Sequence, residues 1–206
     1  ALDMYLGIGY ISDADCILAG VNKLPPAHYA IFSLDSGTLD IDSYWDLPPK
    51  VSESSKSVND SDLVDKLENL LEKSIRMQLL ADVPVGILLS GGVDSSLITA
   101  IASRISTKVK TFTVGFSGHA GYDESAHARL IADHFKTEHT ELNAGDTGPE
   151  LLVSLARQYD EPMVDSSMLP TYLVSSLVRE HCTVALGGDG ADELFGGYAH
   201  YSKILK

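Results

Sequence analysis

Val85-Gly86-Ile87-Leu88-Leu89 runs directly into Ser90-Gly91-Gly92-Val93-Asp94-Ser95, after which Leu97, Ile98, Ala100, Ile101 and Ile105 recur at helical spacing. A short apolar run reads as a buried strand, and the period of the apolar residues beyond the turn reads as a helix. The glycine-serine segment therefore sits where a strand becomes a helix. The alternation continues along the chain. Thr111 to Phe116 reads as extended, Glu124 to Phe135 as helical, His139 to Leu142 as extended, Glu150 to Tyr159 and Pro170 to His181 as helical, and Thr183 to Leu186 as a last short strand. That order predicts an α/β fold, a parallel sheet covered by helices on both faces. Pro170 suits a first helical turn, where its missing N–H costs nothing.

At a strand-to-helix junction the first helical N–H groups lack intrahelical partners and the helix dipole is positive, so the turn attracts anions. Gly91 and Gly92 let the main chain approach a phosphate, and Ser90 and Ser95 supply hydroxyl donors. The turn is not a Walker A loop, which needs a Gly-Lys-Ser/Thr sequence; the comparable position here holds the anionic Asp94. Two like unit charges about 4 Å apart repel by roughly 4 kcal/mol at an effective dielectric near 20, so a carboxylate beside phosphate calls for a bridging divalent cation. Mg²⁺ is the first expectation.

A second turn has similar chemistry. Thr183-Val184-Ala185-Leu186 leads into Gly187-Gly188-Asp189-Gly190-Ala191-Asp192-Glu193-Leu194-Phe195-Gly196-Gly197-Tyr198. Three carboxylates in five residues require solvent or a metal to receive them. In an α/β sheet both loops open at the carboxyl ends of parallel strands, where ligands bind. Asp94 and Asp192 are then placed to share one cation.

Upstream, residues 1–50 read as a short helical end, a proline-punctuated turn and a hairpin in which His28 to Phe32 and Leu39 to Ile41 flank Asp35-Ser36-Gly37. Ser52-Glu53-Ser54-Ser55-Lys56-Ser57 reads as an exposed linker. Beyond it Leu63, Leu67, Leu70, Leu71 and Ile75 share one face of an amphipathic helix, with Asn59, Asp60 and Ser61 as capping candidates. The net charge of −14 argues against an extended nucleic-acid contact, which needs clustered lysines and arginines. It does not argue against a nucleotide held by local amides and a cation. No apolar run is long enough for a membrane span, and no signal-peptide pattern opens the chain, so the expected compartment is the cytoplasm. Cys16 and Cys182 read as reduced thiols, and His127, His134 and His139 as surface histidines without the partners zinc requires. Asp123 and Glu124 read as helix caps. No Gly-x-Ser-x-Gly hydrolase turn is present.

Ser90-Gly91-Gly92-Val93-Asp94-Ser95 resembles the pyrophosphate-binding loop (PP-loop) of the ATP pyrophosphatases, a group with an adenine nucleotide alpha hydrolase-like fold. Val83 to Leu89, Phe112-Thr113-Val114-Gly115-Phe116, Tyr122-Asp123-Glu124, Asp160-Glu161-Pro162 and Gly187 to Tyr198 are similar to the synthetase domain of glutamine-dependent asparagine synthetases. Lys23 to Tyr29 and Ser43 to Pro48 are similar to the join between the glutaminase and synthetase domains of that family. The resemblance implies that residues 1–50 end a glutaminase domain and connect it to residues 51–206, the N-terminal part of an ATP-binding synthetase domain. It implies ATP and Mg²⁺ as cofactors, with Leu88 and Val114 at the base and Ser90, Gly91, Gly92, Asp94, Ser95, Gly187 and Gly188 at the nucleotide. Asp94 and Asp192 would hold the metal; Asp189 and Glu193 would be the catalytic pair. The reaction implied is adenylation of a small carboxylate, aspartate in this family, with release of pyrophosphate and amidation by ammonia from a glutaminase domain missing from this chain. No nucleic acid or membrane is implied as partner, and a homodimer is compatible.

The family's N-terminal cysteine nucleophile has no counterpart in Ala1-Leu2-Asp3, and a lysine found farther along the synthetase domain is not matched before Lys206. The chain accordingly reads as a piece of a larger enzyme, inactive by itself. No arginine lies between Arg157 and Arg179, where the family's aspartate site carries one, and Asp189 replaces a glutamate common among relatives. These departures leave a β-lactam synthetase-like ligase acting on another carboxylate, or a non-catalytic ATP-binding module, as the alternatives.

Overall fold

The computed structural model describes residues 1–12, 15–48, 59–116, 123–145 and 148–204. They group into two compact units, Ala1–Ser57 with Gly148–Pro170, and Val58–Thr147 with Thr171–Lys206. The polar linker expected at 52–57, like Tyr122, lies outside the described residues.

In the first unit a short helix, α1 (Leu2–Ile8), ends on Gly9 in the left-handed region, φ 85°, whose N–H returns to the Tyr5 carbonyl. The expected hairpin is present as β1 (His28–Phe32) and β2 (Leu39–Ser43), antiparallel, with Ala30 opposite Ile41 and Phe32 opposite Leu39. Glu161 ties separate parts of this unit together. Its carboxylate pairs with the Lys23 ammonium and accepts the Ile17 N–H at 2.9 Å, while Lys23 also donates to the Ile11 carbonyl at 3.0 Å. A further helix, α5 (Glu150–Gln158), belongs here, and the Val164 N–H donates to the Gly9 carbonyl at 2.8 Å.

The second unit contains the sheet. Its elements are α2 (Asp60–Gln78), β3 (Val85–Leu88), α3 (Val93–Ile105), β4 (Lys110–Phe116), α4 (Ser125–Phe135), β5 (Glu138–Ala144), the Thr171–Arg179 part of α6 (Met168–Arg179), β6 (Val184–Leu186), α7 (Ala191–Phe195) and α8 (Ala199–Ile204). The strands lie in the order β5-β4-β3-β6 and all neighbours pair in parallel. Strand alternation sends Ile87 to one face, into a core with Ile75, Ile101, Ala102 and Val109, against which Leu71 and Ile98 pack. Leu89, one pleat further, meets Ala128 and Ala132 of α4. Leu88 points the other way, toward Phe112, Val174, Val178 and Cys182. Helices thus cover both faces, as the order of elements predicts.

Local signals explain the element boundaries. Asn59 caps α2 by accepting the Ser61 N–H at 3.3 Å, Asp60 and Asp62 occupy its positive end, and Arg76 its negative end. α6 begins at Met168, so Pro170 lies in its first turn. Two expectations need correction. The five apolar residues of α2 do not all bury: Ile75 does and Leu71 does partly, but Leu70, beside Leu71 in the same half of the helix, is 65% exposed, because the core takes the side of α2 that carries Leu71, Ile75 and Leu79 and not the adjoining one. His139 is no surface histidine. The pleat of β5 turns it inward beside Thr111, whose hydroxyl lies 2.9 Å from Nδ1, and its side chain is only 11% exposed. Burial pushes its imidazole below the ordinary histidine range.

Among the described residues no helix is long and apolar enough to cross a membrane.

Candidate functional site

The chain leaves β3 for β4 and β5 on one side, then returns to place β6 on the other side of β3. Loops following β3 and β6 therefore diverge from neighbouring strands at their carboxyl ends and open a crevice, the position where ligands bind in open α/β sheets. Those loops are the two glycine-rich turns. Between them lies a cavity of about 360 Å³, walled by Ser90, Gly92, Asp94 and Ser95 from the first loop and Gly187 to Gly190, Asp192, Glu193 and Tyr198 from the second, with Leu88 below. Contact is close. A Cβ on Gly188 would stand 3.0 Å from that of Asp94 and 3.4 Å from the Ser95 amide nitrogen.

The first turn is wired from within. Ser95, buried at the start of α3, accepts the Ser90 N–H at 3.2 Å and donates to the Gly92 carbonyl at 3.3 Å. Its hydroxyl lies 2.9 Å from that of Ser90, which also accepts the Gly92 N–H at 3.2 Å. Ser95 thus braces the turn and Ser90 is the exposed hydroxyl. Beneath them Thr99, fully buried, donates to the Ser95 carbonyl at 2.8 Å. Gly92 is the N-cap and no side chain caps α3, so the amides of Val93, Asp94 and Ser95 remain for a ligand.

Gly91 has a different role from Gly92. At φ 82° it is in the left-handed region, and a Cβ there would lie 2.6 Å from the His127 Cβ and 2.8 Å from the Ala128 amide. Its bare face receives α4, not the cavity. Val114 is half-buried in β4, opposite Leu142, and is not among the residues lining the cavity. The other expected residues, Leu88, Ser90, Gly92, Asp94, Ser95, Gly187, Gly188, Asp189, Asp192 and Glu193, line it together.

In the second loop Gly190 at φ 88° starts α7 and Gly196 at φ 70° ends it, with the Gly197 N–H donating to the Asp192 carbonyl at 3.0 Å. This reversal returns Tyr198 to the cavity, where its hydroxyl donates to Glu193 Oε1 at 2.6 Å. The contact holds Glu193 below the usual carboxylate range, and the Glu193 carboxylate pushes the phenol up to about 12. Gly190 and Tyr198 are cavity residues absent from the expected set, and only its place at the end of the loop marks Tyr198.

Asp94 and Asp192 line the same cavity as the anion-binding turn. Among the described residues no three His, Cys, Asp or Glu side chains stand close enough to hold an ion by themselves. Mg²⁺ is held by one or two carboxylates with phosphate oxygens and water completing its shell, so this donor set fits it.

A parallel sheet whose glycine-rich turns meet at its switch point has the arrangement at which α/β domains bind ligands. Within that class the chain belongs to the asparagine synthase family, whose model matches residues 66–206. It is 36% identical over 202 residues to a putative glutamine-hydrolyzing asparagine synthetase 2 of Methanocaldococcus jannaschii, covering 96% of this chain and 38% of that protein. With the glutamine-hydrolyzing asparagine synthetase 1 of Bacillus subtilis the identity is 31% over 206 residues, covering 100% of this chain and 32% of the relative. The chain thus spans about a third of the length of these relatives. Among solved structures, an NH3-dependent NAD synthetase from Campylobacter jejuni is similar with a TM-score of 0.43 and 17% identity, over 66% of this chain and 60% of that one.

Proposed function

We propose that this chain supplies the nucleotide-binding part of an ATP-dependent amide ligase. The observation that carries the reading is the cavity at the sheet's switch point, shared by an anion-binding turn and an acidic loop. Membership of the asparagine synthase family supports it. In the reaction proposed, an oxygen of a substrate carboxylate attacks the α-phosphorus of ATP, the bond to the β-phosphate oxygen breaks, and pyrophosphate leaves. Ammonia then attacks the activated carbonyl and AMP departs, giving the amide. Aspartate is the carboxylate proposed, and glutamine the source of ammonia through a glutaminase domain elsewhere in the longer protein.

The chain's residues have distinct tasks in this scheme. Ser90 and the amides of Val93 to Ser95 receive the departing pyrophosphate, whose growing charge meets the positive end of α3. Asp94 and Asp192 hold Mg²⁺, which when bound neutralises phosphate charge. Asp189 and Glu193 present carboxylates to the acceptor side of the cavity. Leu88 supplies apolar contact to the base. Reaction and compartment agree, since ATP and aspartate are cytoplasmic solutes.

The test is ATP–pyrophosphate exchange by the full-length protein with aspartate as the carboxylate. Asp94→Asn is expected to lower exchange by about 10²-fold or more, the scale of losing a fixed electrostatic contact at a developing charge. Exchange at the unsubstituted rate would remove the metal role of Asp94. Exchange triggered by a different carboxylate would move the assignment to another ligase of the same fold.

A further inference from the structure

Tyr198 stands outside the nucleotide turn and outside the acidic cluster, yet it is the group that restrains Glu193. Its hydroxyl donates to Oε1 of that carboxylate at 2.6 Å, and both side chains line the cavity shared by Ser90, Asp94 and Asp189. The phenol ring is itself held. It stacks on His200 with centroids 5.3 Å apart and an interplanar angle of 16°, and meets Tyr201 edge-on at 5.7 Å, both on α8. The chain reversal at Gly196 and Gly197 sets the ring's approach, because the bond spans five residues across the end of α7 and no regular helix brings those positions face to face.

A glutamate at the rim of an open cavity has three rotatable bonds and several competing orientations. One short charge-assisted hydrogen bond from an anchored ring selects among them. The bond commits Oε1 to the phenol and leaves Oε2 outside it. We propose that Tyr198 is a positioning residue for the ligase reaction, fixing Glu193 so that one carboxylate oxygen faces the substrate. The proposal rests on the ligase reading above.

Tyr198→Phe keeps the ring and its contacts with α8 and removes only the hydroxyl. In ATP–pyrophosphate exchange by the full-length protein, kcat is expected to fall about tenfold or more while KM for ATP stays within about twofold, because a single hydrogen bond to a charged group is lost and the nucleotide turn is untouched. Introduced into a Glu193→Ala background, the same change is expected to cost less than about twofold further, since the acceptor it served is gone. Glu193→Asp, one methylene too short to reach the phenol, is expected to reproduce the kcat loss with Tyr198 intact, and so reads the pairing even where Tyr198→Phe folds poorly. Wild-type exchange rates in Tyr198→Phe, or an equal loss in the wild-type and Glu193→Ala backgrounds, would overturn the role. No exchange by the unsubstituted protein with any carboxylate overturns the ligase reading itself, and the positioning role with it.

Discussion

Gly91 is constrained in two ways, since its φ of 82° penalises any side chain and the space a Cβ would need is filled by His127 and Ala128. The left-handed backbone alone costs a substituted residue about 1–2 kcal/mol. Gly91→Ala is therefore expected to destabilise the second unit by about 2 kcal/mol or more, read as a shift in the urea midpoint. The two serines separate differently. Ser95→Ala leaves the Ser90 N–H without its acceptor inside the turn, a loss of about 1–3 kcal/mol in stability. Ser90→Ala, at the exposed hydroxyl, is expected to weaken nucleotide binding with less effect on the urea midpoint. That this turn leaves the first amides of α3 without a side-chain cap was legible because backbone N–H groups at a strand-to-helix junction depend on a few consecutive residues. That Gly91 serves α4 was not, because His127 and Ala128 reach it from the next βα unit.

Apart from α7 and α8, which lie in and beyond the stretch read as a glycine-rich loop, elements formed where period and punctuation placed them, and their burial depended on neighbours. Apolar spacing marks α2 correctly, yet Leu70 stays exposed while Ile75 is buried, since the spacing names a face and not what covers it. In the first unit the tie between Lys23 and Glu161 joins a loop to the segment beyond α5, far along the chain, and no local pattern announces it. The Lys23 ammonium and the Ile17 N–H hold Glu161 at about 2, below the ordinary value of 4.5. The folded form therefore binds fewer protons than the unfolded form between those values. Its contribution to stability is complete above pH 4.5 and is lost as pH falls toward 2. Glu161→Gln is expected to flatten that part of the stability profile and leave the slope at higher pH unchanged, which urea titrations at stepped pH measure.

At the scale of the molecule, the chain is divided into two compact units, and only one of them carries the two glycine-rich loops. Saturating MgATP at a hundred times its dissociation constant stabilises a binding unit by about 2.7 kcal/mol. Amide hydrogen exchange is expected to slow at Val93 to Ser95 and Gly187 to Gly190 when MgATP is added, while the β1–β2 hairpin of the other unit keeps its rate. Equal slowing in both units, or none at the loops, counts against the assignment. Each strand-turn-helix junction, the acidic composition of the second loop and the α/β class were determined by sequence alone, because steric limits on φ and ψ and the period of apolar residues act within a few positions. The tertiary structure alone decided that β6 pairs with β3, almost a hundred residues distant, and so that the two loops share one cavity with Tyr198 turned into it. Strand order is set by which crossovers bury the most apolar surface on both faces of the sheet. That is a property of the whole unit, and no short window of residues contains it.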